Sequence, residues 1–337
     1  MIGPGPRNSL ADVAGLSVGN AEDHAARSGV TVVLPEQACL AAADVRGGAP
    51  AVIGPESLVP GGLIDRVDGV FLSGGSSFGL EAGAGLMNWL AVRGRGFGTW
   101  GPTIPIVAGA ILFDLVNGGD KEWGETPPYR QLARAAADAA GPEFALGNAG
   151  AGLGATAGPY KGGLGTASVF DPTTGITVGA LVAANPVGSP VMPGQSSFWS
   201  WHLEQDGELG GQRSPEQATG HAFETKRRIG QSTTIGIVAT DAALDRSQLQ
   251  RLATMAQDGY VIAIRPIHTP FDGDTVFALA TGAVPLPARP DALLRLGTLA
   301  ADVVARAVAR GVYQAEDLGE MRAYRSIWPA SRPDLRA

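Results

Sequence analysis

The segment Arg228-Ile229-Gly230-Gln231-Ser232-Thr233-Thr234-Ile235-Gly236-Ile237-Val238-Ala239-Thr240-Asp241 joins two unlike kinds of chain. Upstream, residues 193–231 are polar, rich in Gly, Gln, Ser and Glu, with isolated aromatics such as Trp199 and Trp201. A structureless loop of that length inside a compact domain is uncommon and often functional. Downstream, a β-branched apolar run predicts a buried strand over residues 234–240. Thr233 stands on the boundary. Threonine at a strand start has a plain steric explanation. It also has a chemical one: cutting the Ser232–Thr233 bond would leave a hydroxyl nucleophile that carries its own base, the new α-amine.

Outward from this point the chain becomes regular. Asp245 with Gln248 writes a capping box for a helix whose Leu249, Leu252, Ala253 and Ala256 share one face. Residues 260–264 read as a second strand. The loop 265–274 then carries Asp272 and Asp274 into a third, over 275–280. Asp291 begins a last helix with apolar spacing through Leu296, Leu299, Val303, Val304 and Val308 towards Gly311. On the N-terminal side, residues 8–19 and the strand 29–35 predict an antiparallel pair, and 40–45 another strand before the loop Arg46-Gly47-Gly48-Ala49-Pro50. Residues 67–72 read as a strand, 73–77 as a turn, and 78–92 as a helix ending at Gly94. Residues 105–113 form a buried strand closed by Asp114, 129–140 a helix, and 161–170 with 176–182 a hairpin around Asp171-Pro172-Thr173-Thr174-Gly175. Mixed strand order with few strand-helix-strand alternations predicts an α+β layered sandwich.

Composition narrows the function classes. With 337 residues the chain can bury one large core or two modest ones. Its 49 glycines are roughly twice the usual share, scattered through apolar stretches, which points to tight turns and close backbone approach. A net charge of −7 argues against a nucleic-acid partner, and Lys226-Arg227-Arg228 reads as a solvated face. Cys39, the single cysteine, fits a reducing, cytoplasmic setting. No secretory signal is visible, and the most apolar segment, 104–113, is far shorter than the about 20 residues a membrane span needs.

Several motifs compete for the chemistry. Gly75-Ser76-Ser77-Phe78-Gly79 matches the G-x-S-x-G elbow between a strand and a helix, making Ser77 a rival nucleophile. The alternative is a small-residue turn that packs a helix start tightly. Gly150-Ala151-Gly152-Leu153-Gly154 lacks the third glycine and downstream acid of a dinucleotide loop, so no nucleotide cofactor is expected. His24, His202, His221 and His268 show no metal spacing, and no metal is expected. Asp272-Gly273-Asp274 reads as a turn, or as two carboxylates on one face with a glycine that admits a close neighbour. A non-catalytic binding module is a further reading.

The blocks 29–35, 45–50, 72–80, 105–114, 150–156, Lys161-Gly162-Gly163-Leu164-Gly165, Ala184-Asn185-Pro186-Val187-Gly188, Ser232-Thr233-Thr234-Ile235 and Asp272-Gly273-Asp274-Thr275 together resemble the self-cleaving L-aminopeptidase/D-esterase family. That family includes β-peptidyl aminopeptidases and endo-type 6-aminohexanoate-oligomer (nylon-oligomer) hydrolases. The likeness spans residues 8–310. It implies a four-layer α/β/β/α sandwich of the N-terminal-nucleophile type, a single catalytic domain cut into 1–232 and 233–337, and hydrolysis of oligoamides or peptides without a cofactor. It further implies a homotetramer of cut protomers. Thr233 falls on the nucleophile and Ser232 on the residue before the cut. Lys161, Asn185, Asp272 and Asp274 fall on site residues, and the threonine nucleophile resembles the nylon-oligomer branch. Ser232 stands where that branch has Asn, Phe113 where the site has a tyrosine, and Pro159-Tyr160 where a nearby family lysine can fall. Within the family the Gly75–Gly79 turn precedes a helix and carries no nucleophile.

Overall fold

The computed structural model describes residues 1–98, 101–215, 217, 220–226 and 232–329. In chain order the first half contributes β1 (Leu16–Asp23), β2 (Ser28–Pro35), β3 (Cys39–Val45), β4 (Val52–Ile53), β5 (Arg66–Val67), β6 (Gly69–Ser73), α1 (Glu81–Ala91), β7 (Val107–Ile111) and α2 (Tyr129–Asp138). The second half contributes the short pair β8 (Thr156–Ala157) and β9 (Tyr160–Lys161), then β10 (Gly163–Asp171), β11 (Ile176–Ala184), β12 (Ile235–Ala243), α3 (Arg246–Ala263), β13 (Thr275–Pro285), α4 (Ala292–Gln314) and α5 (Tyr324–Ile327).

Two large mixed sheets result, ordered β1-β2-β6-β7-β4 and β10-β11-β12-β13-β3-β5. Strand alternation explains why they stack. On β12, Ile237 and Ala239 face the other sheet and join Val33, Leu72, Ala110, Leu181 and Phe277 in a shared core, while Val238 points the opposite way. The outer face of the second sheet is covered by α3 and α4 through Leu249, Leu252, Val304 and Val308. That of the first is covered by α1 and α2 through Leu86, Leu90, Ala133 and Ala136. The four layers are therefore α/β/β/α, the α+β sandwich that the resemblance implies.

The expected strand over 260–264 is instead the last turn of α3. The capping box at Asp245 forms, and the apolar face begun by Leu249 continues without a break through Ala256, Tyr260 and Ala263, all fully buried. Gly259 lies inside this helix, and its role is steric. A Cβ there would lie 2.4 Å from the carbonyl oxygen of Ala301, so the missing side chain lets α3 and α4 press together. The described residues of the polar segment after β11 have little regular structure, yet they are pinned. Phe198 is fully buried, the Glu204 carboxylate accepts the N–H groups of Leu209, Gly211 and Gln212, and Thr225 bridges to Gly188. Of the stretch leading to Thr233, residues 227–231 lie outside the described residues.

Candidate active site

β12 and β13 run parallel, with Ile235 opposite Thr275, and the residues just before them continue the pairing. Thr275 N–H donates to Thr234 O at 3.1 Å, Ser232 bridges to Asp272, and Ser232 N–H donates to Phe271 O at 3.2 Å. β11 ends beside them, so Thr233 N–H reaches the carbonyl of Asn185 at 3.0 Å. The glycine loop after β3 closes a third side, with Arg46 N–H on Asp274 O at 2.9 Å and Ala49 N–H on Asp272 O at 2.8 Å. Four segments distant in sequence thus converge on the bond between Ser232 and Thr233. Its surroundings are buried: Thr233 is 4% exposed, and Asn185, Asp272 and Asp274 are fully enclosed.

The carbonyl oxygen of Ser232 accepts two hydrogen bonds, from Gly273 N–H at 3.0 Å and from the Thr233 hydroxyl at 2.6 Å. The hydroxyl therefore lies against the carbonyl it would attack, and a backbone donor sits where negative charge would grow. Gly273 has to be glycine here, since a Cβ would fall 2.8 Å from Thr233 Oγ1 and 2.6 Å from Ala49 O. Asp272 Oδ1 accepts Val187 N–H, and its Oδ2 accepts the N–H and hydroxyl of Thr269. Asp274 Oδ1 accepts Thr234 N–H at 2.8 Å, while Oδ2 takes His268 N–H at 3.0 Å and lies 2.9 Å from His268 Nδ1. Burial pushes the Asp274 carboxyl above the usual carboxylate range; the His268 hydrogen bond opposes this and the charge of Asp272 adds to it. Asn185 places Nδ2 on Phe113 O at 3.0 Å and receives Thr156 N–H on Oδ1 at 2.9 Å; among the described residues its second amide hydrogen has no acceptor.

The two lysines differ from expectation. Lys161 is fully buried, and its ammonium donates to Gly152 O at 2.9 Å and Gly162 O at 3.0 Å; among the described residues it makes no hydrogen bond to Thr233, Asn185, Asp272 or Asp274. Burial pushes it down to about 7, with Asp114 opposing. Lys226 is the surprise. It is no solvated charge: the residue is half-buried, and its ammonium end turns inward to Asn185 Oδ1 at 2.9 Å and Asn185 O at 3.2 Å. Burial pushes it too down to about 7, against the attraction of Asp272, Asp274 and Asp114. A run of three basic residues carries no signal that one of them points inward. Arg227 and Arg228 lie outside the described residues.

Ser77 belongs elsewhere. It is exposed on a single 3-10 turn before α1, and the left-handed residues of that turn are Gly75 (φ 86) and Ser76 (φ 53). Gly75 N–H donates to the buried carboxylate of Asp114 at 2.8 Å, and a Cβ on Gly75 would collide with the Tyr129 ring. The glycines therefore serve packing around Asp114. Ser77→Ala should leave turnover of a chromogenic amide within about twofold of the parent, as for other exposed substitutions; loss of turnover would restore the elbow reading.

The profile of peptidase family S58 matches residues 8–325. An uncharacterized aminopeptidase of Mycobacterium tuberculosis (strain ATCC 25618 / H37Rv) is 40% identical over 96% of this chain and 99% of its own length. A 6-aminohexanoate-oligomer endohydrolase of Kocuria sp. (strain KY2) is 30% identical over 83% of this chain and 76% of its own. Among solved structures, a Burkholderia sp. beta-aminopeptidase superposes with a TM-score of 0.71 at 24% identity, covering 96% of this chain and 91% of that one. The L-aminopeptidase D-Ala-esterase/amidase of Ochrobactrum anthropi, described as a variant of the Ntn hydrolase fold, gives 0.69 at 24% identity, covering 95% and 90%. These two carry the likeness of fold.

Proposed function

Because this chain belongs to peptidase family S58 and is a hydrolase of amide bonds, we propose that it cuts itself once between Ser232 and Thr233 and then uses Thr233 as an N-terminal nucleophile on linear amides. The observation that carries the reading is the pair of donors on one oxygen: Thr233 hydroxyl and Gly273 N–H both meet Ser232 O.

In the first step Thr233 Oγ adds to the Ser232 carbonyl carbon. The 232–233 C–N bond breaks, and the hydroxyl proton ends on the threonine nitrogen. Water then hydrolyses the ester, freeing the Ser232 carboxylate and the Thr233 hydroxyl. The pieces are 1–232 and 233–337. The new α-amine, ordinarily near a pKa of about 7.7–8.0, takes the hydroxyl proton as Oγ attacks a substrate amide and passes it to the departing amine, leaving an acyl ester on Thr233 that water hydrolyses to free the carboxylate and the hydroxyl. Asn185 and its free amide hydrogen stabilise the oxyanion, an interaction worth about 3 kcal/mol. Asp272 and Asp274 fix the loop and, through Thr234 N–H, the start of β12. Lys161, whose ammonium is tied to Gly152 O and Gly162 O, takes no part in this step.

The substrates fall between two classes: peptides with a free amino end, as the aminopeptidase relatives' names indicate, and 6-aminohexanoate oligomers, as the Kocuria relative's name indicates. A tetramer of cut protomers in the cytoplasm belongs to the same reading; no described helix is long and apolar enough to cross a membrane. Incubating cut protein with a β-peptide, an L-amino-acid anilide and 6-aminohexanoate oligomers, and weighing the products, tests it. At least one amide should yield a new amine and a new carboxylate; no turnover of any by fully cut protein would contradict the reading.

A further inference from the structure

Lys226 lies six residues before Ser232, on the piece that scission would turn into a C-terminal tail. Resting on the self-scission reading above, we propose that Lys226 is the positioning cation of this site. The tail that carries it stays docked after the cut, so the end of one piece completes the active centre of the other.

Three observations converge. First, the ammonium of Lys226 and the backbone nitrogen of Thr233 share one acceptor, the Asn185 carbonyl, at 3.2 and 3.0 Å. The nitrogen that becomes the catalytic amine is therefore next to this cation. Second, Lys226 also donates to Asn185 Oδ1, alongside Thr156 N–H. Two donors on Oδ1 fix which end of the amide is oxygen, and so hold the amide hydrogens of Nδ2 away from them. Third, the tail is held by backbone as well as side chain: Lys226 N–H donates to Val187 O at 3.0 Å, and Thr225 bridges to Gly188. Neither contact involves the bond to be cut.

Among the described residues, the charged groups acting on Lys226 here are Asp272 and Asp274 on the loop before β13, with His268 against Asp274, and Asp114 after β7. The three aspartates favour a protonated amine on Thr233; a cation at Lys226 opposes them at close range. Lys161, whose ammonium is tied to Gly152 and Gly162, makes no comparable contact with Asn185. Charge and geometry thus give Lys226 two effects: it orients Asn185, and it lowers the proton affinity of the amine.

The test uses K226C, followed by 2-bromoethylamine, which rebuilds an ammonium of lysine length on the new sulfur. Cys39 is buried and should stay unmodified, which intact mass verifies. The K226C protein should cut and turn over a chromogenic amide about 100-fold more slowly than the parent, mainly in kcat. The acid limb of its pH–rate profile should move to higher pH. Aminoethylation should bring both back to within about fivefold of the parent; if K226C stays uncut, aminoethylation should start the cut. Parent-like rates and an unmoved acid limb in K226C would overturn the proposal, as would a fully aminoethylated protein that recovers nothing. Should the parent itself prove active without being cut, the self-scission reading fails, a result distinct from either of these.

Discussion

Thr233→Ala should leave a single chain of 34.4 kDa on a denaturing gel and lower amide hydrolysis by about 10⁴-fold or more. The expected size of the effect follows from what one oxygen does twice. Without Thr233 Oγ, which lies 2.6 Å from the Ser232 carbonyl oxygen, no hydroxyl is at hand to add to the carbonyl carbon, so the bond holds. With the bond intact the nitrogen stays an amide, hydrogen-bonded to Asn185 O, and cannot act as a base. Folding should be little affected, because the backbone bonds of Thr233 N–H to Asn185 O and of Gly273 N–H to Ser232 O do not depend on the side chain. Thr233→Ser keeps the hydroxyl and should still cut. A Thr233→Ala protein that arrives in two pieces would remove Thr233 from the chemistry.

Gly273→Ala should slow self-scission by about 10²–10³-fold, the usual consequence of losing one oxyanion donor. The added Cβ would meet Ala49 O at 2.6 Å and Thr233 Oγ1 at 2.8 Å. Ala49 cannot simply retreat, since its own N–H holds Asp272 O. The loop carrying Gly273 must move instead, taking its N–H off Ser232 O and displacing the hydroxyl. Overpacking of this kind costs about 1–3 kcal/mol, so the thermal midpoint should fall while the fold persists. The measurement is the time course of conversion of uncut to cut chain after purification. Conversion at the parent rate would show that Gly273 N–H is not needed.

Much of this was legible in the residues. Short apolar, β-branched runs bounded by turn residues give β2 and the β10–β11 hairpin, because strands buried on both faces read as continuous runs. The capping box at Asp245 marks the start of α3, since its two reciprocal hydrogen bonds are local. Thr233, Asn185, Asp272 and Asp274, on segments far apart in sequence, lie close together in space. What could not be read depends on contacts between distant segments. The missing side chain of Gly259 has no meaning until α4 is seen against it. Lys226 looks solvated until Asn185 is seen beneath it. Gly273 marks a turn in sequence, and only the meeting of the loops before β12 and β13 shows that it borders the nucleophile.

Intact-mass analysis of freshly purified, active protein tests self-scission most directly. Two masses are predicted, one for residues 1–232 and one beginning at Thr233 with a free α-amine. A single mass for the unbroken 337-residue chain in active material would contradict it.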